Sequence, residues 1–201
     1  MSTQAWFGVP IWVEQAEGKE FRDLQREIRG VYKESHFEQV WGGNTHELNE
    51  DPFSGSLIDQ MPIFTSYLDK QIKSYLNELK CPGEEYKVFP SWLTKTKKGS
   101  YAHSHDHGSS DLSGVYYFKT NSQDGNLYFA SPHRPLSSNF IFNLINNEQE
   151  LNPVEGLLAM WPGMIRHGTR RNETEHTRVS LSFNIQFRRR GFDWPAYTHN
   201  R

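Results

Sequence analysis

The sequence predicts an α+β protein, mainly β, in which two N-terminal helices back an antiparallel sandwich or barrel. Three observations carry that expectation. Apolar residues recur every three or four positions within residues 19–35 and 57–79, the period of an amphipathic helix. From Tyr86 onward, short apolar or alternating runs are separated by turn residues, the mark of strands. Residues 178–187 alternate polar and apolar without exception.

In the first helical segment Phe21, Leu24, Ile28, Val31 and Tyr32 form one face. A connection containing Trp41-Gly42-Gly43 and Asp51-Pro52 leads to the second, where Leu57, Met61, Phe64, Tyr67, Leu68, Ile72, Tyr75 and Leu79 make a similar stripe. Cys81-Pro82-Gly83 should end it, since proline lacks the N–H and glycine loses the most backbone freedom. Strands are expected at 86–96, 112–119, 126–130, 139–145, 156–161 and 178–187. Turn signals lie between them at Asp124-Gly125, Ser131-Pro132, Asn146-Asn147 and Pro162-Gly163. Residues 1–85 then form a helical extension packed on a barrel of residues 86–201, all within one structural domain.

The last strand is the most informative. Val179, Leu181, Phe183, Ile185 and Phe187 face one way, and Arg178, Ser180, Ser182, Asn184 and Gln186 the other. One face is packed; the polar face either meets water or lines a site.

Composition narrows the function. With 22 Lys+Arg against 24 Asp+Glu, the formal charge is −2, so there is no broad basic field for non-specific nucleic-acid binding. The run Arg188-Arg189-Arg190 reads as a solvated strand end, and Arg170 and Arg171 as solvated loop charges. The single cysteine, Cys81, excludes an intrachain disulfide and suits a reducing cytoplasm. The N-terminus shows no signal-peptide pattern, and no apolar stretch has the length of a membrane span. A soluble cytoplasmic protein is expected.

The chemistry-bearing residues are histidines. His103, His105 and His107 fall within five residues, and His167 follows 60 positions after His107. Imidazoles at i and i+2 on extended backbone point the same way, so a His-x-His pair can offer two nitrogens to one metal, with a third ligand from elsewhere. His105-Asp106-His107-Gly108-Ser109-Ser110-Asp111-Leu112-Ser113-Gly114-Val115-Tyr116-Tyr117, then Glu155 to His167, then Arg178-Val179-Ser180-Leu181-Ser182-Phe183-Asn184 form a joint pattern. That pattern resembles the 2-oxoglutarate/iron(II)-dependent oxygenase family of marine bacteria and phages, over roughly residues 86–188.

The resemblance implies a double-stranded β-helix of the jelly-roll or cupin-like kind, using iron(II), 2-oxoglutarate and O2. By analogy with the wider superfamily, a His-x-Asp/Glu, a distal histidine and an arginine about ten residues beyond make the site. Here Arg178 follows His167 by eleven positions, and its planar, always-charged fork suits the distal carboxylate of 2-oxoglutarate. Ser180 lies on the same face and can add a hydroxyl. Tyr117 is similar to the tyrosine that relatives aim at that carboxylate; core packing is its other role. The usual carboxylate ligand is replaced by His107, so the expected metal set is His105, His107 and His167, acting catalytically as well. Two other sets stay open: His103 with His105, or one in which Asp106 or Asp111 supplies a carboxylate. His133, in a turn-like segment, reads as surface, and Trp161-Pro162-Gly163 as the turn that presents His167.

The implied reaction is oxidative decarboxylation of 2-oxoglutarate to succinate and carbon dioxide, coupled to oxidation, most simply hydroxylation, of a second substrate. A cupin-like metalloenzyme without 2-oxoglutarate and a non-enzymatic barrel are the rivals; Arg178-x-Ser180 argues against the first, and metal-dependent succinate release would separate the oxygenase from both. The substrate, a small molecule or a protein side chain, is not legible; protein prolyl hydroxylation is a guess by analogy. No membrane or strong nucleic-acid partner is expected, and the oligomeric state is not encoded in any motif here.

Overall fold

A computed structural model describes residues 8–39, 47–49, 56–81, 85–132 and 148–188. Along these run β1 (Trp12–Gln15), α1 (Gly18–Glu34), β2 (Phe37–Glu38), β3 (Glu47–Asn49), a 3-10 turn (Leu57–Gln60) and α2 (Pro62–Glu78). Then come β4 (Tyr86–Thr96), β5 (Leu112–Lys119), β6 (Leu127–Ala130), β7 (Glu148–Leu151), β8 (Leu157–Pro162), β9 (His167–Thr169) and β10 (Arg178–Phe187).

Seven strands form a large sheet in the order β1-β8-β5-β10-β4-β3-β2, and β7-β6-β9 form a small one; neighbouring strands in both run antiparallel. The fold is mainly β, two sheets with helices on one side. The N-terminal segment contributes more than helices, since β1 pairs with β8, and β3, itself paired to β2, pairs with β4.

Strand pleating sorts each side chain to one of two cores. On the outer face of the large sheet, Leu93, Leu112, Tyr116, Phe118, Leu158, Met160, Val179, Leu181, Phe183 and Ile185 pack against Leu24, Ile28, Phe64, Leu68 and Ile72 of the helices. On the inner face, Val115, Tyr117, Ala159 and Trp161 meet Leu127 and Phe129 of the small sheet. The Ser-Gly-Val-Tyr-Tyr segment thus reads physically. Ser113, Val115 and Tyr117 point inward, while Gly114 faces outward, where an added Cβ would lie 2.4 Å from the Phe183 ring and 2.9 Å from the Ala159 carbonyl.

The helices start and stop by means the sequence only partly shows. The predicted 57–79 helix is split, because the residue before a proline is pushed out of the α region: Met61 sits at φ −125°, ψ 75°, and the true helix begins at Pro62. Its orphan N–H groups are capped from the neighbouring helix, Ile63 N and Phe64 N donating to Glu27 Oε1 and Oε2 at 2.9 and 2.7 Å. It ends ahead of Pro82-Gly83, through Lys80 in the left-handed region (φ 57°) and a Cys81 N–H donated to Leu76 O at 2.8 Å. The expected strand 139–145, the turn at Asn146-Asn147, His133, and Arg189 and Arg190 lie outside the described residues.

Candidate metal centre and anion pocket

The inner face of the large sheet carries a polar column. Arg178, Ser180, Ser182 and Asn184 of β10 stand beside Trp92, Thr94 and Thr96 of β4 and Ser113 and Tyr117 of β5, and all line one cavity of about 300 Å³. His105, His107 and His167 line its other side.

Backbone pairing sets the histidine geometry. His105 and His167 are directly opposed in an antiparallel bridge, exchanging N–H···O=C bonds of 2.9 and 2.8 Å. His107 N donates to Gly163 O at 2.8 Å, and Gly163 N to Asp111 O at 3.0 Å, so the 107–111 loop is stitched to the turn ahead of His167. Only glycine fits that turn, since a Cβ on Gly163 would stand 2.2 Å from Ser110 O. The three imidazoles each offer a nitrogen within 4.8 Å of the others. Their rings lie 4.5 Å (His105–His167), 5.0 Å (His105–His107) and 5.2 Å (His107–His167) apart.

Burial makes these good neutral nitrogen donors. Desolvation, with mutual repulsion second, holds His107 and His167 down to about 3, and desolvation also lowers His105. His105 Nδ1 sits 2.7 Å from His103 O and His167 Nδ1 2.8 Å from Ile165 O, contacts that favour Nδ1–H and leave each Nε2 lone pair for a cation.

A stability consequence follows. Between about pH 6.5 and 3 the unfolded chain binds protons at these histidines and the folded chain does not, so metal-free protein is fully stabilised above pH 6.5 and loses stability as pH falls. The loss is at most about 1.4 kcal/mol per pH unit for each histidine. Urea midpoints of chelator-treated protein should fall from pH 7 to pH 4.5, and His107→Gln should flatten that slope. An unchanged slope in the variant would contradict it.

The other sequence candidates fall elsewhere. His103 is exposed, its ring edge-on to Tyr101 at 4.8 Å. The Asp106 carboxylate is turned to Arg166 at 3.4 Å, and that of Asp111 accepts Phe187 N at 2.8 Å. Neither joins the histidine cluster among the described residues. Arg170 and Arg171 are not merely solvated: Arg170 bridges Glu148 and Glu150 over the Tyr128 ring, and Arg171 stacks on Tyr101 and donates to Gly99 O at 2.7 Å. Arg188 pairs with Glu85 at 2.8 Å on the surface.

Arg178, by contrast, is buried with no carboxylate in hydrogen-bond contact. Its Nη1 donates to Asp124 O at 3.2 Å and to Gly125 O, its Nη2 to Thr96 Oγ1 at 3.3 Å, and its Nε has no partner. The guanidinium carbon lies 6.0 Å from the Tyr117 ring centroid, and burial pushes the Tyr117 hydroxyl up to about 12. Ser180 is paired directly across from Tyr117. The hydrogen-bond partners of Arg178 are all neutral and the buried Asp124 carboxylate acts on it only through space, so an added anion at this end of the cavity would offset part of the cost of burying the cation.

Sequence reasoning missed the parts behind these side chains. Asp124, read as a turn, is fully buried and accepts Thr120 Oγ1 at 2.6 Å, Asn121 N at 3.0 Å and His176 Nδ1 at 2.8 Å, which fixes the two carbonyls facing Arg178. Trp161, read as the end of a strand and the start of a turn, is also cavity wall, edge-on to His167 at 4.8 Å. A lone Asp-Gly or Trp-Pro pair carries no signal that separates such roles from an ordinary turn.

The fit of a divalent metal and a dicarboxylate therefore rests on the donor set: three converging neutral imidazoles at one end and an orphaned guanidinium N–H at the other. Residues 90–184 match the family model described as "Putative 2OG-Fe(II) oxygenase". Among solved structures, a Pseudomonas putida prolyl-4-hydroxylase is 17% identical at a TM-score of 0.59, covering 91% of this chain and 94% of that one. HygX from Streptomyces hygroscopicus, solved with nickel and 2-oxoglutarate bound, is 12% identical at 0.61, covering 89% and 83%. A Trichoplax adhaerens prolyl hydroxylase, solved with a hypoxia inducible factor peptide fragment, is 11% identical at 0.63, covering 88% and 83%. No curated protein matches in sequence. At such identities the structural likeness establishes the fold, a double-stranded β-helix. Over residues 90–184, just under half of the chain, the match is a likeness to the core of the 2OG-Fe(II) oxygenases.

Proposed function

We propose that this chain is an Fe(II)- and 2-oxoglutarate-dependent dioxygenase, most simply a hydroxylase, with His105, His107 and His167 as metal ligands and Arg178, Ser180 and Tyr117 holding the cosubstrate. The observation that carries it is the pairing, across one cavity, of a three-imidazole cluster with a buried arginine whose Nε lacks a partner. A bound iron(II) would activate O2 and couple 2-oxoglutarate decarboxylation to substrate oxidation.

The protein's own side chains do the rest. Arg178 supplies a charge-assisted donor pre-aimed by the Asp124 and Gly125 carbonyls, and Ser180 and Tyr117 add hydroxyls on the same wall. Trp161, Phe129 and Leu127 exclude water from the histidine side. The catalytic residues all come from the part of the chain after Tyr86, and the N-terminal part adds β1, β2 and β3 to the same large sheet. The single cysteine suits a reducing cytoplasm, that of a bacterium or of a phage-infected host. No helix among the described residues is long and apolar enough to cross a membrane. The substrate group, from a small molecule or a protein side chain, must share the 300 Å³ cavity with the cosubstrate.

Purified protein given Fe(II), 2-oxoglutarate and O2 should release succinate, and chelation should stop it. No succinate above a metal-free control would move the cupin-like reading ahead. Mass spectrometry of lysate treated with enzyme and labelled oxygen then identifies the acceptor.

A further inference from the structure

The three histidines are not held alike. His105 and His167 each use Nδ1 on the backbone carbonyl two residues earlier, His103 O and Ile165 O. The equivalent carbonyl for His107 is His105 O, and that oxygen already accepts His167 N at 2.8 Å in the bridge that builds the cluster. His107 Nδ1 faces a side chain instead, the amide of Asn184, whose Nδ2 stands 3.4 Å away.

Asn184 is itself buried and locked. It lies directly across from Ser113, whose Oγ donates to Asn184 Oδ1 at 2.8 Å. On its other side the register slips: Phe183 pairs with Ser91 and Ile185 with Val88, so Phe89 and Pro90 together oppose Asn184 in a bulge. Bulges re-aim side chains next to sites, and here the side chain beside the bulge reaches the cluster.

From this geometry we propose that Asn184, backed by Ser113, is the positioning residue that makes His107 a metal ligand; the proposal rests on the functional reading above. For His107 to present the Nε2 lone pair, Nδ1 must carry the proton and needs an acceptor. The oxygen and nitrogen of an amide occupy nearly equal volumes, so a half-turn of Asn184 exchanges them without moving a neighbour. Oδ1 then accepts from His107 Nδ1–H, while Nδ2 donates to Ser113 Oγ, a hydroxyl able to play either part. In the orientation of the structure the amide N–H points at Nδ1, which favours the Nε2–H tautomer. The amide is thus a two-position switch, and binding a cation at the cluster selects one position. No backbone carbonyl could be turned in this way, which distinguishes the third histidine from the other two.

The test is anaerobic titration of Co(II), read by its d–d absorption, and of Mn(II), into chelator-stripped wild type, Asn184→Leu, Asn184→Asp and Ser113→Ala, with circular dichroism and melting temperature recorded for each metal-free protein. Asn184→Leu, which keeps the bulk and loses the acceptor, should bind about 10- to 100-fold more weakly with an altered cobalt spectrum. Asn184→Asp, whose carboxylate only accepts, should keep wild-type affinity or exceed it, and Ser113→Ala should show a smaller loss than the leucine variant. Equal affinity in wild type and Asn184→Leu would overturn the proposal, and so would an equal loss in Asn184→Leu and Asn184→Asp. If the leucine variant does not fold, retention in Asn184→Asp with a loss in Ser113→Ala supports the proposal, and the reverse order overturns it. Absence of metal binding by the wild type would instead bring down the functional reading itself, and the inference with it.

Discussion

Replacing Arg178 with alanine is expected to weaken 2-oxoglutarate binding by ~30- to 1000-fold, the equivalent of about 2–4 kcal/mol lost when a buried charge-assisted pair is truncated. The size follows from burial. Arg178 is 2% exposed, its side-chain partners are two carbonyls and a hydroxyl, and its Nε is buried without a hydrogen-bond partner. Lysine should recover only part of the loss, because a point charge cannot span the Asp124 and Gly125 carbonyls and also face the ligand. Titration of 2-oxoglutarate into manganese-loaded wild type, Arg178→Ala and Arg178→Lys under anaerobic conditions measures it. If the wild type shows no saturable binding, or the alanine variant binds as well, the carboxylate role of Arg178 is wrong and a cupin-like chemistry is favoured.

His167→Ala should cost still more, abolishing stoichiometric Fe(II) binding with a fall in affinity beyond the roughly 100-fold that loss of an outer hydrogen-bond partner can cause. Its imidazole is 5% exposed and forms one corner of the three-nitrogen cluster. Two nitrogens from one short stretch of chain are left behind, too few to fix a facial geometry. His103→Ala supplies the contrast, since that ring is exposed and turned to Tyr101; it should leave affinity unchanged. Retained binding in His167→Ala, or its loss in His103→Ala, would reassign the ligand set.

Parts of the fold were legible because local pattern and tertiary demand agree. The alternation of residues 178–187 and the runs at 86–96 and 112–119 match β10, β4 and β5 at both ends, since each has one face in the helix-backed core and the other on the cavity. The short strands β1, β2, β3, β7 and β9 were not foreseen. Their residues, such as Glu148-Gln149-Glu150-Leu151, have little apolar alternation and become strands by pairing with a neighbour already in place. The 3-10 turn before Pro62 was absorbed into a helix because its apolar spacing is the same in both.

The site divides in the same way. By itself the sequence determined the chemical vocabulary: a His-x-His pair, a distal histidine, and an arginine followed by a serine on one strand face, because i, i+2 spacing on extended backbone is a local property. Only the tertiary structure decided which histidines meet. The bridge between His105 and His167 and the bond from His107 N to Gly163 O join segments some 60 residues apart, and they turn His103 outward. It also decided that Asp124 and Asn184, ordinary residues in the chain, stand behind Arg178 and His107. Pleating dictates which way a side chain points, whereas hydrogen-bond partners and burial depend on what the rest of the chain brings opposite it, and no window of sequence contains that information.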